Sequence, residues 1–523
     1  MRKRIRIGLL LLLICAAGSV IDADNISDAK KKKPAISVKK LELGVTRAKK
    51  LTLKNVTKKQ LKKVKWSSSD KTVATVSSNG KVFAVKSGRV NIKAAFKGRK
   101  YTCKVSVIQK SNGWAYMLDT GADSYKNGNI FWYYDDSYFT KDASVYQKKT
   151  AITSVLLSWA SGPDKSVSVS DQSNRLKKLL TCIGFADFAT NDDYKKAPGK
   201  DTFGVAFAKK QIGAGDAAST LIVVVPRSSG YEMEWCSNFD LGESGDHNGL
   251  DDAANKFLSG LNKYMTDKNI KGNIKLWFAG HSRGATADNL AEIKLATGKV
   301  TLPEGVVLKN EDIYGYNISC LKASAKPSDD TATGSYPFIH NVRLSHDFFT
   351  GLMPDQYGFI RYGTEHIIKS DDTVKDKALK KLKKYNNDLY NSYFYNDPDQ
   401  YADNMTKTIL DTLLYMYPDR QSYMDGMYPQ MMDILNKTDT FGPGILTNVL
   451  SSDFIVDVLE AFYTSRGKSV PEDLFTVKEE NGTTTKSLNL NSSAISELVA
   501  EFIHFPAIYV QHYTEVIYAF ISA

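Results

Sequence analysis

Ser282 lies between Gly280 and Gly284 in the stretch WFAGHSRGATADNL, Trp277 to Leu290. A serine hydroxyl attacks a carbonyl carbon well only when a base takes its proton, so the chemistry this spacing offers is covalent, nucleophilic catalysis. The pattern Gly-x-Ser-x-Gly alone is weak, because composition produces it in roughly one chain in five of this length. Its flanks give it weight. IKLWFA (Ile274–Ala279) reads as a buried strand, and ATADNLAEIKLA (Ala285–Ala296) reads as a helix stopping near Gly298, a C-cap residue. In a sharp strand-to-helix turn, backbone passes too close for side chains at either glycine. The turn holds the serine oxygen out at the sheet edge and aims the positive end of the helix at developing negative charge. Ser282 therefore reads as a nucleophile; a plain glycine-rich turn is the bland alternative.

A serine nucleophile needs a histidine base and a carboxylate that orients the base. When the serine sits on a strand–turn–helix of this kind, the acid and then the base come later in the chain. Five of the seven histidines follow Ser282: His340, His346, His366, His504 and His512. The backbone N–H directly after the nucleophile, that of Arg283, is the expected first donor to an oxyanion. No spacing in the sequence suggests a metal site, a phosphate-cradling loop or a carboxylate pair, so no cofactor is expected.

The elements that must position these residues are legible around them. STLIVVVP (Ser219–Pro226) and NIKLWFAG (Asn273–Gly280) read as buried strands. In GLDDAANKFLSGLNKYM, helical spacing puts Leu250, Ala254, Phe257, Leu258, Leu261 and Met265 on one face. Alternating strands and helices predict a mainly parallel α/β sheet. From about Lys369 to Ser493 the texture changes to Tyr-rich, polar helices such as DTVKDKALKKLKKYNNDLYNSY and NMTKTILDTLLYMYPD. This reads as a helical insertion. Its position between acid and base, and its apolar Leu410, Leu413, Leu414, Tyr415, Met416 and Tyr417, suggest a cap over the site; a bundle away from the cleft is the other reading.

The 523-residue chain carries a net charge of +13, unevenly placed. Between Lys30 and Lys110 there are 25 basic residues and two acids, Glu42 and Asp70, whereas residues 111–523 sum to −11. The opening MRKRIRIGLLLLLICAAGS has a basic start, an apolar run and small residues, the pattern of a secretory signal peptide, with Cys15 raising a lipoprotein alternative. For an exported chain, an anionic envelope surface is a better partner for a basic region than nucleic acid; a Lys-rich surface that is merely soluble is the alternative. Cys103, Cys182, Cys236 and Cys320 are widely spaced, which favours buried thiols over disulfides or zinc.

Residues Ile36–Ile108 alternate at period two in short strands, with Asn79-Gly80 as a hairpin turn. The stretch VKWSSSDKTVATVSSNGKVFAVKSGRVNIKA resembles the bacterial Ig-like domain (group 2): Trp66, the Ser run, Val73-Ala74, Asn79-Gly80-Lys81-Val82 and Gly88 sit where that family puts them. From about Phe131 onward the chain resembles the class 3 lipase family, in particular its bacterial branch with GHSRG elbows. The resemblance is carried by VVVPRSSGYEMEWCSNF, HNGLDDAANKFLSGL (Leu250 replacing an aromatic), GHSRGATADNLAEIKL, NVRLSHDFFTGLMPDQYGFIRYG and QHYTEVIYAFI. It implies Ser282 as nucleophile, Asp347 as orienting acid with Asp355 as rival, and His512 as base with His504 as rival. It also implies an oxyanion donor at Ser229, beside Arg283; Ser228 stands where the family has Gly. Arg227, Glu234 and Trp235 read as buttresses of that loop, and His247 and His281 as packing around the site.

The expected organisation is a signal peptide over 1–23, a basic linker over 24–35, the Ig-like domain over 36–109 and a linker over 110–130. A class 3 lipase-like α/β-hydrolase domain then spans 131–523, with the insertion over about 369–493. The expected fold is thus multidomain: a small all-β Ig-like sandwich followed by an α/β-hydrolase fold with a helical insertion. The expected function is a secreted or cell-surface serine esterase or lipase acting on a lipid or an acylated polysaccharide. The basic Ig-like domain is then positioned to meet an anionic cell-wall polymer. An inactive hydrolase-like adhesion protein is the competing reading.

Overall fold

A computed structural model describes residues 33–44, 48–84, 88–108, 114–118, 130–162, 173–194, 199, 202–213, 218–227, 232–327, 336–386, 389–391, 393, 398–436, 452–480, 482–502 and 510–523. The chain divides into two compact units, one built on residues 20–119 and 129–138, the other on Phe139–Ala523 with two short further segments.

The smaller unit is a β-sandwich. One sheet runs in the order Lys40–Gly44, Arg99–Ile108, Gly88–Phe96, Lys65–Ser68; the other is Ala48–Lys50, Lys81–Ala84, Ala74–Val76. Alternation along each strand fills the space between the sheets with Leu41, Val82, Val90, Ile92, Cys103 and Val105, all nearly solvent-free. The hairpin expected at Asn79-Gly80 joins Ala74–Val76 to Lys81–Ala84, and Gly80 takes the positive φ of 84° that such a turn needs.

The larger unit is a mainly parallel sheet flanked by helices. Its central sheet contains, in chain order and in spatial order, β1 (Ala186–Thr190), β2 (Val205–Ile212), β3 (Ser219–Pro226), β4 (Gly272–Phe278), β5 (Ile313–Ile318), β6 (Ile339–Leu344) and β7 (Thr364–Ile368). β1 and β2 are antiparallel to their successors, and β3 to β7 are parallel. Strands buried on both faces read as continuous apolar runs, and β3 is buried from Thr220 to Pro226. Helix α1 (Lys148–Ser161) precedes the sheet; α2 (Asn248–Asp267) links β3 to β4, and α3 (Arg283–Ala296) links β4 to β5. Both crossovers step the same way across the sheet, so right-handedness puts α2 and α3 on one face, where they pack together. The two faces are read off adjacent residues of β4. Phe278 meets Phe257 of α2, whereas Trp277 Nε1 donates to Ser154 Oγ of α1 at 2.9 Å.

Beyond β7 come α4 (Asp372–Tyr385), α5 (Pro398–Met416), α6 (Arg420–Asn436), α7 (Asp453–Thr464), α8 (Ala494–Phe502) and α9 (Thr514–Ile521). α9 packs against α1 and α4. The helical texture expected through this region is interrupted by an exposed β-hairpin, Phe475–Glu480 with Thr483–Leu488. Its signal was present in the sequence, where Asn481-Gly482, a pair favoured in hairpin turns, stands between the two strands. No helix among the described residues is long and apolar enough to cross a membrane.

Candidate active site

β4 ends at Phe278, and Ser282 is the N-cap of α3, so the turn has four residues in which to reverse. Ser282 takes φ 54° and ψ −124°, a conformation that L-residues avoid and that costs on the order of 1–3 kcal/mol. Its neighbours impose it: Ser282 N–H donates to Ile318 O of β5, and Ile318 N–H donates to Gly280 O. The flanking glycines leave room for close backbone approach, strictly so at Gly280 and by a few tenths of an ångström at Gly284. A Cβ on Gly280 would lie 2.5 Å from Asp288 Oδ2 and 2.6 Å from Ala285 N, and one on Gly284 would press on Pro226 at 3.2 Å.

Asp347 follows β6 and caps the turn Phe348–Gly351; His512 immediately precedes Tyr513 and α9. Elements 165 residues apart bring the two side chains together. His512 Nδ1–H donates to Asp347 at 2.9 Å (Oδ1) and 3.1 Å (Oδ2), and Ser282 Oγ–H donates to His512 Nε2 at 2.7 Å. Burial by itself raises the Asp347 pKa, but His512, the Ser319 hydroxyl beside it and His281 outweigh burial, and the carboxyl is held below its ordinary value. Asp347 therefore stays ionised, which fixes the imidazole tautomer with Nε2 free to accept.

Further contacts immobilise His512. His281 is fully buried, and burial lowers its pKa to about 3, so it is neutral. Its Nε2–H donates to the backbone carbonyl of His512 at 2.7 Å. The Phe349 ring lies 4.5 Å, centroid to centroid, from that of His512. On the acid's side, Arg361 Nη1 donates to Cys320 O (2.8 Å) and Thr350 O (3.1 Å), tying the end of β5 to the turn that carries Asp347.

Arg283, the first residue of α3, has a backbone N–H that no preceding helical turn can satisfy. Its side chain points elsewhere: the guanidinium donates to Thr202 O and Ser237 Oγ and covers the Phe203 ring. Ser228 and Ser229 lie outside the described residues. The two ends of their loop are braced from within, since Arg227 Nη2 meets Glu234 Oε1 at 2.5 Å with both side chains buried, and Arg227 Nη1 donates to Tyr194 O. Trp235 is half-buried beside Phe239.

Of the rivals, Asp355 sits exposed on a separate turn and pairs with Lys322, and His504 lies outside the described residues. His340 and His366 contact one another at the β6–β7 edge, His346 faces Asp403, and His247 is buried near Asn238 O. The buried acids Asp288 and Glu292 were not anticipated. They sit at i and i+4 on α3 against Gly280 and Gly315 and form no ion pair among the described residues. Burial pushes both carboxyls well above the carboxylate range, with Glu292 adding to the effect on Asp288. The signal was two acids on the face of α3 that had to be buried. Among the described residues no group of three His, Cys, Asp or Glu side chains is placed to hold a metal ion.

Residues 34–105 match the family model of the bacterial Ig-like domain (group 2). Comparison with curated proteins gave no match. Among solved structures, the chain is similar to a Rhizomucor miehei lipase–propeptide complex at 15% identity and TM-score 0.29, covering 46% of this chain and 69% of that one. It is similar to a triacylglycerol lipase described as having a serine protease triad at its catalytic centre, at 16% identity and TM-score 0.26, covering 46% and 82%. A lipase from Rhizopus microsporus var. chinensis matches at 13% identity and TM-score 0.25, covering 42% and 74%.

Proposed function

We propose that this chain is a secreted or cell-surface serine hydrolase that cleaves carboxylic esters through an acyl-enzyme intermediate. The observation that carries the reading is the unbroken hydrogen-bond chain Ser282–His512–Asp347 at 2.7 and 2.9 Å. In the acylation step, the Ser282 proton moves to His512 Nε2 as Oγ bonds to the ester carbonyl carbon. The oxyanion is met by the Arg283 N–H and by a donor from the loop at Ser229. Collapse breaks the carbon–oxygen ester bond, and His512 returns the proton to the leaving alcohol. Water then repeats the sequence on the acyl-enzyme and frees the acid and Ser282. Asp347 remains charged throughout and stabilises the imidazolium.

The strained backbone at Ser282 argues against an inactive adhesion scaffold, since such strain persists where surrounding structure enforces it and clusters at working sites. The basic and then apolar start of the chain supports export. The excess of lysines between Lys30 and Lys110 supports anchoring of the Ig-like region to an anionic envelope polymer. The test is a panel of p-nitrophenyl esters of increasing acyl length, with acylglycerol, feruloyl and acetyl-polysaccharide arms. Turnover of at least one ester is expected, reduced by about 10⁶-fold in Ser282→Ala. A folded protein that turns over none of them supports the adhesion reading instead.

A further inference from the structure

The strand register of the Ig-like unit sorts its side chains into two populations. On the four-stranded sheet, Leu41, Leu43, Val90, Ile92, Cys103 and Val105 point inward and are buried. The alternate positions form the outer face, and the pairing fixes their rows. Lys40 lies opposite Lys104, which lies opposite Asn91; Glu42 lies opposite Ser106, which lies opposite Arg89. Thr102, Lys93 and Ser67 make a third row, and Lys100, Ala95 and Lys65 a fourth. This face therefore gathers Lys40, Lys65, Arg89, Lys93, Lys100 and Lys104, with Glu42 its one acid. Lys93 is half-buried and the other five cations are exposed. Strand spacing and rise make the face roughly 14 Å by 20 Å.

Like charges directly opposite on a sheet destabilise it, and Lys40–Lys104 is such a pair. Among the outward positions whose side chains are described, none carries an apolar group larger than that of Ala95, so this part of the face offers no hydrophobic core for a protein interface. Among the described residues, its outward strand positions also carry no aromatic ring on which a base or a sugar could stack. Five of its six cations are lysines, which meet phosphate as mobile point charges rather than as the planar fork that suits a carboxylate. We propose that this outer face is the docking surface for a linear phosphodiester polymer, a polyol phosphate laid across the four strands. This deepens the anchoring reading and rests on it.

The test uses the full chain and immobilised poly(glycerol phosphate). The wild-type protein should bind, with retention falling as salt screens the exposed charges. Combined Lys40→Gln, Lys93→Gln and Lys104→Gln substitution should weaken binding by about tenfold or more. Lys58→Gln, Lys59→Gln and Lys62→Gln, on the exposed helix of the same unit, should leave it nearly unchanged. The first triple variant should also melt no lower than wild type, because it relieves the Lys40–Lys104 repulsion, so lost binding cannot be ascribed to unfolding. Equal loss in both triple variants would leave anchoring to bulk charge and overturn the assignment to this face. Equal binding of duplex DNA or a polyuronate, with the same sensitivity to the first triple, would overturn the polyol phosphate. No binding by wild type at any salt would remove the anchoring reading itself.

Discussion

Ser282 is held in a backbone conformation that its own side chain disfavours, and the groups enforcing it are Ile318 on the neighbouring strand and Gly280 in its own turn. The proposed chemistry and the packing meet at the same residues, so substitutions there separate into two kinds. Asp347→Asn removes the charge that orients His512 while keeping the shape; kcat should fall by about 10⁴-fold, as loss of the orienting acid does in serine triads. Asp355→Asn, on an exposed turn, should leave kcat nearly unchanged, and a reversed order would reassign the acid. Asp288 behaves differently because it is buried as the neutral acid. Its folded pKa is raised, so its stabilisation is complete below the unfolded value near 4 and is lost as pH rises toward the folded value. Asn imitates the protonated form. Asp288→Asn should therefore gain on wild type with rising pH, by up to about 1.4 kcal/mol per unit, measured by urea unfolding between pH 5 and pH 8. A pH-independent difference would mean that the native carboxyl is ionised. Ser282 was legible in sequence from its flanking glycines. Asp347 and His512 were legible only through the family resemblance, because 165 residues separate them and no spacing rule links them. The clamp from His281 onto the His512 carbonyl was invisible, since a backbone acceptor leaves no mark in a sequence.

Among the elements, the insertion was the least readable, although its helices were expected. α2 declares its buried face by a 3.6-residue period, and all six residues expected there are buried. α5 and α6 owe their burial to distant partners, which periodicity does not encode. Phe348 and Phe349, beside Asp347, belong to one apolar cluster with Met405, Ile409, Met431 and Leu459 of the insertion. Tyr357 Oη–H donates to Tyr417 O at 2.9 Å, and Arg420 donates to the carbonyls of Gly242 and Gly245 while covering the Phe359 ring. The insertion thus packs directly on the turn that carries Asp347. Met431→Ala, at 1% exposure, should cost about 2–5 kcal/mol. Loss of ester hydrolysis on heating should then shift downward together with the melting of the insertion. Tyr415→Ala, at 55% exposure, should stay within about 0.5 kcal/mol of wild type. Hydrolysis that persists after the insertion has melted would show that the acid turn stands without it.

Across the whole molecule, buried neutral histidines set an acid limit. Burial lowers the pKa values of His247 and His281 to about 3 and of His340 to about 4. Above the unfolded value near 6.5 neither state is protonated and their stabilisation is complete. As pH falls below it, the unfolded chain takes up protons that the native state refuses, and stability drops toward pH 3–4. Asp288, Glu292 and Glu515, buried with raised pKa values, act in the opposite sense over this range. The test is therefore the difference between wild type and His247→Gln. Wild type should lose stability relative to the variant by up to about 1.4 kcal/mol per unit as pH falls from 6.5 to 4, and a pH-independent difference would mean that this ring is protonated in the native state. The central claim is narrower: Ser282 is a nucleophile activated by His512. It is tested most directly by labelling the intact protein with a fluorophosphonate and locating the adduct by mass spectrometry. One adduct, on Ser282, is predicted, absent in Ser282→Ala and formed far more slowly in His512→Ala. Labelling at another serine, or undiminished labelling in Ser282→Ala, would contradict it.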